Sequence, residues 1–182
     1  MIYKVLFDNI GPFDFKLLYD APHNLVWEEE VDGERCYVHR KGACPARGLS
    51  SMGGTPFEYY GEPVLIPGSM GTSSFILAGM GNWNHLSSAS HGAGRCLSRG
   101  QSLKYDELKF REFIKRFKVI TPIDPNRQDI KNRPEILKKW EDELKKEAPY
   151  AYKEIGPIIK SQVDAEIVRE VAELEPIITI KA

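Results

Sequence analysis

The chain has 182 residues, with 25 Lys+Arg against 26 Asp+Glu and a formal net charge of −1. That balance excludes electrostatic attraction of the whole molecule to nucleic acid or a membrane surface, and leaves such work to local patches. A hydrophobic share of 42% supplies a real core and excludes a disordered chain, and no run of ~18 apolar residues is present to span a bilayer.

In chain order, Ile2–Phe7 is a short β-branched and apolar run that predicts a strand. Leu25–Val31 and Arg35–Arg40 flank Asp32-Gly33, a strong hairpin signal. Val64-Leu65-Ile66 and Phe75-Ile76-Leu77 read as buried strands, and the turn-forming loop Pro67–Ser74 lies between them. Ser87–Gly94 is a second small-residue loop. Apolar spacing predicts a helix over Tyr105–Lys118, followed by a brief strand at Val119-Ile120 before the Pro122/Pro125 break. Arg133–Lys146 reads as a helix with Pro134 in its first turn. A third helix is expected over Ile155–Val163, interrupted early by Pro157, and a terminal strand over Ile177–Lys181. Strands and helices mix without strict alternation, so the expected class is α+β, with mixed or antiparallel sheets and flanking helices.

Length predicts a single domain over residues 1–182, but its two parts differ in chemistry. Residues 1–100 hold 14 of the 15 Gly, all four His and all three Cys; residues 101–182 hold 17 of the basic residues and 16 of the acidic ones. The first part is thus a Gly/Ser-rich candidate pocket, and the second a set of charged helices with a closing strand. Pro63–Gly94 has no Asp, Glu, Lys or Arg, yet is rich in Gly and Ser. Such a stretch is expected to pack inside the protein or to line a pocket where small residues let a ligand approach. An odd number of cysteines fits a reducing compartment, and the N-terminus shows no basic start followed by an apolar leader. A soluble, cytoplasmic protein with no membrane partner is expected.

The phosphate-binding GxxxxGK[ST] loop, a GxGxxG between strand and helix, and CxxC are all absent. What remains is His91-Gly92-Ala93-Gly94-Arg95. Glycines let backbone N–H groups approach an anion, and the helix expected after them adds its positive N-terminal end. Arg95 and Arg99 offer bidentate donors for phosphoryl oxygens, and a neutral imidazole is a competent nucleophile at phosphorus. His91 also reads as an ordinary hydrogen-bonded loop histidine. His23 is a possible metal ligand without evident local partners, since a site needs three or four donors. His39-Arg40-Lys41-Gly42 suits either RNA phosphates or a solvated strand end. Glu28-Glu29-Glu30 reads as a solvated strand edge, and His85 as structural.

Several strings resemble one family. They are His23-Asn24, Val38–Ala43, Val64–Thr72, Ser88–Arg95 with Ser98-Arg99, Glu147–Lys153, and the closing Ile180-Lys181. From about residue 19 to the end the chain resembles the C-terminal part of RtcB, the GTP-dependent RNA ligase family. The resemblance implies joining of RNA 2′,3′-cyclic phosphate or 3′-phosphate ends to 5′-hydroxyl ends, as in tRNA splicing or RNA repair, with GTP and Mn2+. It implies that His91 takes GMP covalently, with Arg95 assisting, and that His23 is a manganese ligand with Asn24 beside it at the nucleotide. Pro67, Gly68, Ser69, Met70 and Ser74 resemble the guanosine-binding loop, Gly92, Ala93 and Gly94 continue it, and Tyr152 and Lys181 resemble the guanine contacts. The expected RNA partners are tRNA halves or broken RNA. The family's remaining manganese ligands lie in an N-terminal part that this sequence does not match, and Cys44-Pro45 stands where the family usually has Thr-Arg. The leading expectation is therefore a split or truncated ligase completed by a separate N-terminal RtcB-type chain. The alternative is a non-catalytic guanine-nucleotide-binding remnant.

Overall fold

The structure, a computed structural model, describes residues 4, 7, 8, 11, 12, 14, 16–31, 33–104, 107–116 and 118–181. The strand expected over Ile2–Phe7 falls mostly outside them, and the described Lys4 and Phe7 are helical. Tyr105, Asp106 and Phe117 of the expected Tyr105–Lys118 helix also lie outside the described residues.

Alternating side chains and a glycine turn build the first element pair. β1 (Asn24–Val31) and β2 (Glu34–Lys41) form an antiparallel hairpin, with Asn24 opposite Lys41 at its base and Val31 opposite Glu34 at its tip. Gly33 turns the chain with φ of 82°, a conformation open to a residue without Cβ. Arg40 fastens the hairpin to the body. It is 2% exposed and donates to both Glu29 carboxylate oxygens at 2.6 and 2.8 Å, to Ser88 Oγ at 2.8 Å and to the Leu86 carbonyl at 3.0 Å. This corrects two expectations. Glu29 is an ion-pair partner rather than part of a solvated edge. Arg40 is committed to protein acceptors and is not available to RNA phosphates, although His39 and Lys41 are exposed.

Gly42 then redirects the chain into β3 (Ala43–Pro45), which pairs antiparallel with β6 (Ser88–Ser90). The main sheet has three antiparallel strands in the order β4 (Pro63–Ile66), β5 (Ser74–Gly79), β8 (Val168–Leu174). β7 (Lys118–Ile120) and β9 (Ile178–Ile180) form a separate parallel pair. The helices are α1 (Arg99–Ser102), α2 (Glu107–Ile114), α3 (Gln128–Lys131), α4 (Pro134–Lys145) and α5 (Ile155–Asp164). Pro157 does not interrupt α5: it sits in the first turn, where its missing N–H would have no intrahelical partner. The fold is α+β, as expected. No helix among the described residues is long and apolar enough to cross a membrane.

Two apolar clusters hold these elements. Val64, Ile66, Leu77 and Val168 of the main sheet pack with Cys44, Ala89 and Ile159 of α5. Met70, Phe110 of α2, Leu144 of α4 and Ala148 form the second cluster, with Val119 packed against it. Between hairpin and sheet lies a polar tie. Glu62, 1% exposed, accepts from Arg47 Nε at 2.8 Å, Arg47 Nη2 at 2.7 Å, the Arg47 backbone N–H at 3.0 Å and the Tyr19 hydroxyl at 2.8 Å. Burial pushes the neighbouring Cys44 thiol up to about 11, aided by the Glu62 charge, which leaves it protonated at neutral pH.

The backbones meet closely where β5 ends. A Cβ on Gly79 would lie 2.3 Å from the Ala46 carbonyl carbon. Gly79→Ala must therefore push two backbones apart, and is expected to lower stability by ~1–3 kcal/mol, read as a lower urea midpoint with the slope unchanged.

Candidate functional site

The two small-residue loops expected from the sequence meet across one cleft of about 1590 Å3. The first, between β4 and β5, is fixed by its own polar atoms. The Gly68 N–H donates to Ser74 Oγ at 3.0 Å, and the Thr72 N–H and hydroxyl both donate to the Ser69 carbonyl at 3.0 Å. Ser69 Oγ and Thr72 Oγ1 are 3.0 Å apart. A Cβ at Gly68 would fall 2.2 Å from the Ser73 carbonyl oxygen, so the tight fold of this loop needs glycine there. Pro67, Gly68, Ser69, Met70 and Ser74 all line the cleft. Met70 does so from a buried position against Phe110 and Leu144, which makes it the loop's anchor in the core.

The second loop leaves β6 and presents His91. Its backbone N–H donates to the Gly42 carbonyl at 3.1 Å, and the Gly42 N–H donates to the His23 carbonyl at 2.8 Å. This ladder brings the two histidines together: their rings stack with centroids 3.8 Å apart and planes 3° from parallel. His91 Nδ1 is buried without a hydrogen-bond partner. Burial, and then the neighbouring His23, hold the His91 pKa below the usual histidine value, which favours the neutral imidazole. Gly92, Ala93 and Gly94 continue along the cleft wall, and a Cβ at Gly92 or Gly94 would meet nothing within 4 Å.

Other residues singled out in the sequence fall into place unevenly. Tyr152 lines the cleft, and its hydroxyl donates to Glu147 Oε2. Burial and that acceptor both raise its pKa, so it stays protonated. Lys181 also lines the cleft, with its Nζ donating to the Glu143 carbonyl at 2.8 Å. Asn24 is exposed at the base of the hairpin and is not part of the cleft wall. None of the three cysteines lines the cleft.

Arg95 departs from its expected role. Its guanidinium donates to the Leu97 carbonyl at 3.0 Å, the Lys146 carbonyl at 2.6 Å, Tyr152 Oη at 3.1 Å and Ser102 Oγ at 3.1 Å. It also lies 4.9 Å from the Tyr152 ring centroid. Four of its five N–H donors are thus occupied, too many for a bidentate clamp on phosphate. It holds the segment after α4 and Tyr152 against the His91 loop. Arg95→Lys keeps the charge and loses the fork, and is expected to lower stability by ~1–2 kcal/mol, measured as a lower urea midpoint.

A helix follows the His91–Arg95 string, as expected, but its N-terminus is not open to an anion. α1 is short, and its start is closed by a reciprocal pair between Ser98 and Gln101. The end that faces the cleft is that of α5, where Ile155 and Gly156 line the wall and Glu154 provides no side-chain cap. Sequence reading assigned no role to this end, since Pro157 read as an interruption. It also gave none to Glu147, whose signal was its place in a matched string.

The described residues offer hydroxyls, backbone groups and small residues on one part of the cleft wall and the charged Arg116, Glu147, Lys153, Glu154, Glu173, Glu175 and Lys181 on the rest. They do not by themselves fit a metal ion. No group of three or more His, Cys, Asp or Glu side chains among them is placed to hold one, and His23 is a single donor.

Comparison with known proteins is consistent along the whole chain. Residues 1–182 match the family model described as tRNA-splicing ligase RtcB. The chain is 33% identical over 186 residues to the tRNA-splicing ligase RtcB of Nanoarchaeum equitans, an overlap that covers 98% of this chain and 36% of that protein. It is 37% identical over 181 residues to the tRNA-splicing ligase RtcB of Pyrococcus horikoshii, covering 93% of this chain and 19% of that protein. It is 35% identical over 187 residues to the RNA-splicing ligase RtcB of Mycobacterium tuberculosis, covering 98% and 39%. The chain therefore spans between 19% and 39% of the length of these relatives. With the family matched from its first residue to its last, the chain belongs to the tRNA-splicing ligase RtcB family.

Proposed function

We propose that this chain is the nucleotide-binding and guanylylated portion of an RtcB-type RNA ligase, joining RNA 2′,3′-cyclic phosphate or 3′-phosphate ends to 5′-hydroxyl ends. The observation that supports it is the His91 imidazole, biased to the neutral form and standing at a cleft walled by hydroxyls and backbone groups. GTP is the substrate of the first step. With Nδ1 buried, Nε2 of His91 attacks the α-phosphorus, an N–P bond forms, the α–β phosphoanhydride bond breaks and pyrophosphate leaves. A 2′,3′-cyclic phosphate is first opened by water to a 3′-phosphate; an oxygen of the RNA 3′-phosphate then attacks the GMP phosphorus, the N–P bond to His91 breaks, and an RNA 5′-hydroxyl finally attacks the 3′-phosphate and releases GMP.

The chain's own residues bind and orient the nucleotide. The Pro67–Ser74 loop and the Gly92–Gly94 segment approach it through backbone and hydroxyl groups, and Tyr152 and Lys181 close on guanine. The two small-residue loops are uncharged, which suits guanine's hydrogen-bonding edges and apolar face, while the cleft's charged side chains, Arg116, Glu147, Lys153, Glu154, Glu173, Glu175 and Lys181, lie on its other walls. Manganese belongs to the proposed reaction with His23 as one ligand, its other donors coming from the part of the ligase that this chain does not span.

The test is incubation with GTP labelled at the α-phosphate, in Mn2+ buffer, with and without the remaining portion of an RtcB ligase. The expected result is acid-labile label on this chain. GTP retained without any covalent label under both conditions would replace this reading with that of a non-catalytic guanine-nucleotide-binding remnant.

A further inference from the structure

A second cavity, of about 350 Å3, shares no lining residue with the cleft. Its size is at the small end of ligand pockets, which run from ~300 to ~1,000 Å3. Part of its wall is bare backbone: Gly48 and Gly81 are pressed together so closely that a Cβ on either would fall 2.7 Å from a backbone atom. Three aromatic rings complete it. Tyr59, Tyr60 and Trp83 are 77%, 60% and 59% exposed, and none belongs to either apolar cluster.

These rings stand on fixed backbone. Asn82 Oδ1 accepts from the Asn84 N–H at 3.0 Å and Asn82 Nδ2 donates to the Ala165 carbonyl at 2.8 Å, which pins the turn that carries Trp83. That turn leaves through Leu86 and Ser87, with φ of 51° and 43°. Two successive side-chain-bearing residues in this region are costly, and persist only where their surroundings hold them. The Tyr60 N–H donates to the Phe57 carbonyl at 2.9 Å, and the Tyr60 carbonyl accepts from Arg169 Nη2 at 3.0 Å. Only one of the five N–H donors of Arg169 is used there, and its side chain is the one charged group on the cavity wall among the described residues.

We infer that this cavity is a stacking site for an unpaired nucleotide of an RNA strand, with its base on the aromatic rings and a backbone phosphate on Arg169. Three observations select that occupant. Rings held exposed on rigid backbone stack any base, whatever its sequence. The charge beside them is a guanidinium, which suits phosphate, and no Asp or Glu lines the wall. Ser87, on the cavity wall, also leads through β6 to His91, a path of at most ~13 Å at ~3.3 Å per residue. That is about four nucleotides at the ~3.4 Å spacing of a stacked strand. The inference rests on the ligase reading above, and adds to it a place where the strand is held short of its reacting end.

The experiment titrates a fluorescein-labelled oligouridylate, an unstructured single strand, with this chain and reads anisotropy. Trp83→Ala is expected to weaken binding ~5- to 100-fold, and Trp83→Phe, which keeps a ring, to retain most of it. Tyr60→Ala, on a different loop, should act in the same direction, and Arg169→Gln should weaken binding and flatten its salt dependence. Circular dichroism checks the fold of each variant. The same strand paired with oligoadenylate hides its bases, and all ring variants should bind it alike. No binding of the single strand, equal binding by Trp83→Ala and Tyr60→Ala, or a loss as large in Trp83→Phe as in Trp83→Ala would each overturn the proposal. GMP labelling is scored separately. Label with RNA affinity unchanged by the ring variants overturns the stacking site and leaves the ligase reading, whereas ring-dependent RNA binding without label does the reverse.

Discussion

His91→Ala is expected to remove all covalent GMP label from the chain and leave its fold intact. The backbone bond from His91 to the Gly42 carbonyl does not involve the side chain, so the ladder to His23 survives the change. What is lost is the stacked ring pair, a matter of ~1 kcal/mol, so the unfolding midpoint should move little. His85→Ala is the matched control, since that histidine is exposed and does not line the cleft. Label that persists in His91→Ala would remove this histidine from the reaction. A variant that loses label and also unfolds would show that the stack holds up the loop.

Glu62→Ala is expected to cost ~3–5 kcal/mol of stability, a large part of the ~5–15 kcal/mol of an ordinary domain. The change leaves the Arg47 guanidinium and the Tyr19 hydroxyl without their shared acceptor. Denaturant titration would show it as a lower midpoint, and an unchanged midpoint would mean that water replaces the carboxylate without cost. The same group sets a pH window. Burial alone would raise the Glu62 pKa, but its bonds from Arg47 and Tyr19 outweigh burial and hold it below the usual carboxylate value. A depressed pKa in the folded state gives stability that is present above the unfolded value of ~4.3 and lost as pH falls through the folded one. Acid titration of the wild type should show this loss below ~4, and Glu62→Ala should lack that part of it.

Local patterns made much of this fold legible. A hairpin around a glycine turn, two buried strands around Pro67–Ser74, and a proline-led helix at Pro134 each rest on short-range chemistry that a sequence displays. β8 was not legible. Its Arg169, Glu170 and Glu173 interrupt apolar alternation, and pairing with β5 shifts register between Ile76 and Leu77, so no clean period of two appears. The candidate site divides in the same way. The uncharged stretch announced a pocket, and its two loops do line one cleft, while Trp83–His85 within it forms an exposed turn. The roles of Arg40, Arg47 and Arg95 could not be read from sequence. Each is defined by acceptors brought up from elsewhere in the chain, such as Glu29, Glu62 and the Lys146 carbonyl.

The hairpin is also a lever. Its strands of eight residues extend ~26 Å from base to tip at ~3.3 Å per residue. The base is where His23 and His91 are tied through Gly42, and Arg40 is the strut that sets its angle to the body. By that geometry a rotation of ~5° about Gly42 sweeps the tip through ~2 Å, while the imidazoles next to the pivot hardly shift. Any rotation of the hairpin about its base would therefore displace the far end most and the histidine pair least.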